Sequence, residues 1–327
     1  MLSRVANSIY WMARYVERAE NLARYIEVTL NVILDQPDSA DQQWEPLILA
    51  TGDQKTFTER YGKPDAHNVI HFLTFDPEYS NSIKSCLTNA RENARTIRET
   101  ISSEAWEQIN EFYHWLRNHA NQTMSVDQLA DFYQKARLHS HLFAGILDAT
   151  MLHGEGWHFA NFGRLIERAD KTSRILDVKY FTLLPTLSDV GTTIDDLQWS
   201  AVLRSVSGFE IYRKRFRGIT VPRVVEFLIL EREFPRAIRF CLDGADRSLH
   251  AISGSPEGVF RNTAEQRLGQ LRATLAYADV QQVINNGLHE FVDELQVKLN
   301  DIDEAIFDTF FALRSPTQSQ AQFQSSR

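Results

Sequence analysis

Glycine and proline are scarce in this chain of 327 residues, at 14 and 9. Such scarcity argues against an all-β fold, which spends both residues on its many turns, and for long uninterrupted helices. Cysteine is scarcer still. Cys86 and Cys241 have no metal-binding or redox spacing, which leaves no disulfide framework and predicts two reduced thiols buried in a core. Long apolar runs are missing as well: nothing approaches the roughly 18 apolar residues of a membrane span. The opening MLSRVANSIYWMARYVER carries polar residues every few positions, so neither a signal peptide nor an anchor is expected. Positive charge is in deficit. The formal net charge of −8 disfavours nucleic acid and anionic membranes as partners. These absences together predict a cytoplasmic protein. Apolar residues at 43% allow a sizeable core.

What the chain does have is a repeated charged motif. RYVERAENLAR begins at Arg14, and RLIERADKTSR begins 150 positions later at Arg164. The copies share Arg14/Arg164, Glu17/Glu167, Arg18/Arg168, Ala19/Ala169, an acid at Glu20/Asp170, and Arg24/Arg174. A second echo follows: RENARTIR, Arg91–Arg98, matches REFPRAIR, Arg232–Arg239, at Arg91/Arg232, Glu92/Glu233, Arg95/Arg236 and Arg98/Arg239. Two motifs recurring in the same order predict an internal duplication.

The expected architecture is all-α: an internally duplicated helical bundle, with residues 1–152 and 153–313 as similar halves packed as one unit, and residues 314–327 as a disordered Gln/Ser-rich tail. Residues 2–34 read as one helix with two apolar faces. Leu2, Val5, Ile9, Met12, Ala13, Val16, Ala23 and Leu30 form one, and Trp11, Tyr15, Leu22 and Ile33 the other, which places it centrally in a bundle. Short pieces follow over 44–79, then helices over about 80–99, 103–119 and 125–152. A break comes at His153-Gly154-Glu155-Gly156. Further helices are expected over 157–184, 195–217, 221–242 and 265–313, the last interrupted near Asn285-Asn286-Gly287.

Arg14, Glu17, Asn21 and Arg24 share one helical strip. Between apolar faces that strip is at least partly buried, and a buried Glu17 then requires a guanidinium. The spacing predicts that Glu17 pairs with Arg91 or Arg95 and Glu167 with Arg232 or Arg236. Two readings follow: a structural ion-pair lattice fixing helix register, or a polar pocket for an anion, peptide or nucleotide. The pocket would be lined by Arg14, Arg18, Arg24, Arg91, Arg95, Arg164, Arg168, Arg174, Arg232 and Arg236 with Glu17, Glu92, Glu167 and Glu233. In the second reading Glu17 and Glu167 are the candidate general acid/base pair.

SIYWMARYVERAENLARYIE, NSIKSCLTNARENARTIRETISSEAWEQIN, EGWHFANFGRLIERADKTSRILD and VVEFLILEREFPRAIRFCL together resemble the bacterial alpha-E family, a predicted helical domain named for its Glu-Arg motif. The resemblance covers most of residues 1–310 and places the family's motif on Glu17, Arg18, Glu167 and Arg168, with Arg91, Glu92 and Arg95 from the middle segment. It implies two partners, a circularly permuted ATP-grasp ligase and a transglutaminase-like protease, and a role in synthesis or modification of a peptide. It implies no cofactor and no catalytic residue. One departure is Met12-Ala13-Arg14, where the second copy has Gly163-Arg164.

Other constellations compete. Glu111/His114 and Glu155/His158 have the Glu-x-x-His spacing of a di-metal bundle, but Glu155 lies between two glycines. His139-x-His141 cannot share one helix face. The basic run Arg213-Lys214-Arg215-Arg217, near Arg204 and Arg223, reads as a helix C-terminus favoured by the macrodipole or as a docking patch for an acidic partner or phosphate. No glycine loop has the ending of a phosphate-binding loop, and no Ser/His/Asp or Cys/His nucleophile signature can be singled out.

Overall fold

Helix α1, Ser3–Asp35, contains neither glycine nor proline, and nothing interrupts its hydrogen-bond ladder. It belongs to a computed structural model that describes residues 1–35, 43–120, 122, 124–182 and 193–312. Every regular element among these residues is helical. Both predicted apolar faces of α1 are covered: Ile9, Met12, Val16, Leu22, Ala23, Ile26 and Leu30 are buried, and Trp11, Tyr15 and Ile33 pack partly buried against the same core. Leu2 precedes the helix and is exposed.

Short helices α2 (Glu45–Thr51), α3 (Gln54–Tyr61) and α4 (Ala66–Ile70) follow, and α4 runs into a π-helical turn, His71–Phe75. Next come α5 (Ile83–Thr96), α6 (Ser103–His119) and α7 (Val126–Thr150). Their N-caps, Ser82, Ser102 and Ser125, each accept a backbone N–H from the residue three positions on. Helix α8, Glu155–Thr182, carries the second charged motif. The remaining helices are α9 (Thr193–Ser205), α10 (Phe209–Arg215), α11 (Val221–Ile229), α12 (Ile238–Ser253), α13 (Thr263–Ala276), α14 (Val280–Asn286) and α15 (Leu288–Ile306), with a closing π-helical turn at Phe307–Phe311.

Three boundaries differ from expectation. The helix anticipated over 195–217 is broken where Ser207 takes a left-handed φ of 52°. The one anticipated over 221–242 stops at Ile229, because Pro235 cannot supply a helical N–H, and restarts as α12. The last is divided at Gly287, φ 109°, as the sequence suggests, and again at Tyr277–Asp279. The Gln/Ser-rich tail lies outside the described residues.

Helix α1 packs against α5, α7 and α8; α8 packs against α1, α12 and α15. Around them α5 meets α6 and α6 meets α7, while α12 meets α13 and α13 meets α15. One hydrophobic cluster runs through all of these helices. At its centre α1 and α8 lie side by side in the same direction. The Met1 amine meets Glu155 at 2.7 Å, Tyr10 lies 6.0 Å from Phe162 ring to ring, and Tyr25 Oη donates to the Lys171 carbonyl at 2.8 Å.

Gly163 permits this approach. A Cβ there would stand 2.7 Å from the Tyr10 carbonyl oxygen and 2.9 Å from its ring. Ala13, the corresponding position of the first copy, shares a small cavity wall with Ala160. Ala160 stands where Tyr10 would recur, so a methyl at Ala13 has room. Gly163→Ala is therefore expected to cost about 1–3 kcal/mol in urea unfolding. Gly145→Ala on α7, with no heavy atom within 4 Å of the new methyl, is expected to gain about 0.5–1 kcal/mol.

Candidate functional site: a crossed pair of Glu-Arg motifs

Glutamate and arginine adjacent on a helix point about 100° apart and do not face each other. In α1 and α8 each reaches the neighbouring helix instead. Arg168 donates to Glu17 through Nε and Nη2, both at 2.8 Å. Arg18 donates to Glu167 through Nε at 2.7 Å and Nη2 at 3.0 Å. Each is a two-pronged guanidinium–carboxylate bond, the geometry for which arginine is suited. Both carboxylates are buried, Glu17 at 6% exposure and Glu167 at 0%.

Further donors complete each centre. Glu167 also accepts from Arg14 Nε at 2.9 Å, with Lys171 Nζ at 3.5 Å. Arg14 in turn pairs with Asp303 of α15 and donates to Tyr10 Oη at 2.8 Å. Glu17 accepts from Asn21 at 3.2 Å and Arg236 Nη1 at 3.4 Å, and Arg236 Nη2 reaches Glu20 at 2.9 Å. Burial alone would raise both glutamates. Arg168 and Arg236 outweigh it at Glu17, and Arg18, Lys171 and Arg14 at Glu167, so both carboxyls sit well below the ordinary range.

None of the anticipated pairings forms. Arg91 and Arg95 do not reach Glu17. Arg91 donates to Asn110 of α6 at 2.8 Å and lies 4.8 Å over the Tyr113 ring, while Arg95 makes an exposed pair with Glu92 at 2.8 Å. Arg232 and Glu233 are exposed, held only at the backbone by the Glu231 carboxylate. Arg236 does enter the interior, but toward Glu17 rather than Glu167.

The reason is phase. Arg91–Arg98 begins near the C-terminal end of α5 and faces α6, whereas Arg232–Arg236 precedes the N-terminus of α12. The segments alike in placement are Ile83-x-x-Cys86-Leu87 and Ile238-x-x-Cys241-Leu242, each opening its helix with a cysteine in the first turns. Cys86 lies beside the Arg18–Glu167 pair and Cys241 beside Arg168–Glu17. Both thiols are free and buried, and burial pushes them up to about 12. The spacing of 155 residues between these segments is the signal that the stronger arginine echo obscured.

The other motif residues divide between the two centres. Arg174 donates to Asp170 at 3.0 Å. Arg24 pairs with Glu20 and donates to Ser207; its Nε finds no acceptor among the described residues, and burial together with Arg236 and Arg137 lowers its proton affinity. Arg164 donates to Asn161 at 2.8 Å and lines a cavity of about 40 Å³ with Glu17, His141 and Trp157. His141 meets Glu20 at 3.1 Å. Burial and the guanidiniums of Arg24, Arg236 and Arg137 push its imidazole down to about 4. A larger cavity, about 190 Å³, opens above Glu167. Sequence reasoning missed four contributors there: Asp53, Asn81, Asp303 and Lys171.

The competing constellations are not assembled. Glu155 pairs with the Met1 amine, His158 faces Ser248, and Glu111 is exposed on α6. Among the described residues no three His, Cys, Asp or Glu side chains gather as metal ligands. His139 stacks on Phe112 at 5.0 Å. Arg213, Lys214 and Arg215 do end a helix, α10. No helix among the described residues is long and apolar enough to cross a membrane.

Comparison with known proteins agrees with this geometry. The family whose model matches residues 1–311 is Alpha-E, a predicted alpha-helical domain with a conserved ER motif, and the chain belongs to it. Of the four Glu-Arg steps in the chain, at Glu17, Glu59, Glu167 and Glu231, the crossed pair joins Glu17-Arg18 and Glu167-Arg168. Uncharacterized proteins of Mycobacterium bovis and Mycobacterium tuberculosis are 23% identical over 336 residues, which cover 95% of this chain and 37% of each relative. The chain thus spans little more than a third of the curated relatives it matches. No solved structure matches it.

Removing one carboxylate strands two or more buried guanidiniums. Glu17→Gln and Glu167→Gln are each expected to lose about 3–5 kcal/mol in denaturant unfolding, against less than about 1 kcal/mol for the exposed Glu92→Gln. The acid limb carries a second signature. Both glutamates are depressed in the folded state, so their stabilisation is full above the unfolded value of about 4.3 and is lost as pH falls below it. Each Gln variant is expected to remove up to about 1.4 kcal/mol per pH unit from the slope of stability below about pH 4. Urea midpoints between pH 3 and 6 check this.

Proposed function

We propose that this chain, as a member of that family, is a non-catalytic helical accessory protein that assists an ATP-grasp-type peptide ligase in the bacterial cytoplasm. The observation that carries this reading is that both Glu-Arg motifs are consumed in binding each other. Every carboxylate oxygen of Glu17 and Glu167 already accepts a guanidinium N–H. Carboxyls so strongly depressed make poor general bases at neutral pH, because the proton they would take is released at once. Acid–base catalysis by this pair is accordingly the weaker alternative.

The partner follows from the alpha-E resemblance, which implies a circularly permuted ATP-grasp ligase and a transglutaminase-like protease. The length of the relatives is in keeping with an accessory part, since the same module is there one segment of a much longer chain. We also read the chain as two copies of one helical unit. The matching order of packing around α1 and α8 supports this, as do the corresponding cysteines of α5 and α12.

The test is co-purification with the ATP-grasp protein of the same bacterium, followed by phosphate release from ATP in the presence of candidate peptides. A stable complex and at least a tenfold rise in ATP consumption over the ligase alone are expected, with no turnover by this chain by itself. Turnover by the isolated chain, or failure of the two proteins to associate, overturns the proposal.

A further inference from the structure

The cavity above Glu167 is walled by five segments: α1, the turn between α2 and α3, the approach to α5 at Asn81, α8 and α15. Its charges are dense and nearly balanced. Four cations line it, Arg14, Arg18, Lys171 and Arg174, against the carboxylates of Asp53, Asp170 and Asp303, with Glu167 directly bonded to two of those arginines. Most of these groups are engaged with each other, but two are not fully used.

The first is Asp53. It occupies the N-cap of α3, where an aspartate ordinarily accepts a backbone N–H of its own helix. Here it makes no such bond. The carboxylate turns toward the cavity, where it accepts from Tyr79 Oη at 2.6 Å and more weakly from Asn81 Nδ2 at 3.4 Å. No cation among the described residues pairs with it. The second is Arg174. Its Nε is spent on Asp170, but its two terminal nitrogens make no hydrogen bond among the described residues. One of them lies 3.1 Å from where a Cβ on Gly52 would stand, so that glycine leaves the guanidinium its place beside the α2–α3 turn.

A carboxylate without a cation and a guanidinium with spare donors thus share one cavity. A simple anion would satisfy Arg174 and leave Asp53 unpaired; a simple cation would do the reverse. A ligand bearing both charges satisfies both. At about 190 Å³ the space falls below the roughly 300–1,000 Å³ of sites for drug-sized ligands. It equals the liquid volume of about six waters, room enough for a small amino acid or a dipeptide of small residues. We infer that this cavity binds a zwitterion, a small α-amino acid or dipeptide, with its ammonium at Asp53 and its carboxylate at Arg174. The site needs no ATP-grasp partner to form, so it stands or falls separately from the accessory role.

The experiment is titration calorimetry on the full chain with L-alanine and glycylglycine, against propionate and ethylamine as single-charge controls. Saturable binding of at least one zwitterion is expected, at least tenfold tighter than either control. Asp53→Asn keeps both hydrogen bonds to the side chain but removes its charge, and is expected to weaken binding tenfold or more with an unchanged melting temperature. Arg174→Gln is expected to do the same; should it not fold, Asp53→Asn alone decides. Absence of saturable binding by both zwitterions overturns the inference. So does equal affinity for propionate, which would mark a plain anion site, and so does a zwitterion affinity indifferent to Asp53→Asn.

Discussion

The crossed pairing of Glu17 with Arg168 and Glu167 with Arg18 is the constraint on which the rest of the fold depends. Taking four charges out of water is costly, and mutual attraction repays it only when geometry is good and every remaining lone pair is bonded. The geometry is good, and every oxygen of both carboxylates is bonded. Each carboxylate faces a two-pronged guanidinium and at least one further donor. An apolar replacement of the same volume could be as stable, so register is what the ionic version contributes. Sliding α1 by one turn against α8 would break both two-pronged pairs. With α5, α7, α12 and α15 packed against these two helices, fixing the central pair fixes the positions of their neighbours.

The two centres are built alike but surrounded differently. On the Glu17 side Arg24, Arg137, Arg164, Arg168 and Arg236 outnumber Glu17, Glu20 and Glu27. Burial and this positive local field together push the nearby His141 imidazole down to about 4. On the Glu167 side Asp303, Asp170 and Asp53 restore the balance, and the space above the pair stays open. A scaffold requires only the pairs themselves. The difference between their surroundings is where this chain can differ in function from end to end.

Much of this was legible in the residues. Burial of the Glu-Arg strip followed from apolar faces on both sides of α1, and the need for a guanidinium partner followed from burial. The identity of that partner was not legible from the echo around Arg91 and Arg232, because matching arginines do not guarantee matching helix positions. Arg91 sits at the end of one helix and Arg232 before the start of another. The segments that do share a place in their helices, Ile83-x-x-Cys86-Leu87 and Ile238-x-x-Cys241-Leu242, match at uncharged core residues that draw no notice. Asp53 could not be placed from sequence at all. An aspartate before a helix reads as a cap, and only the fold shows it turned away from that role.

Geometry also accounts for a motif of adjacent residues rather than a spaced pair. Two helices running in the same direction, related by a two-fold along their common axis, bring identical positions face to face. A lone glutamate at such a position would meet its own copy and repel it. Setting the arginine one residue on rotates it about 100°, toward the glutamate of the opposite strip, so a single dipeptide used twice supplies both halves of both bonds. The observed pairs, 17 with 168 and 18 with 167, have this off-by-one pattern. A helix pair running in opposite directions would not produce it, because its contacts would hold the sum of residue numbers constant along the interface rather than their difference. From Met1–Glu155 to Arg18–Glu167 and Tyr25–Lys171 it is the difference that stays nearly fixed.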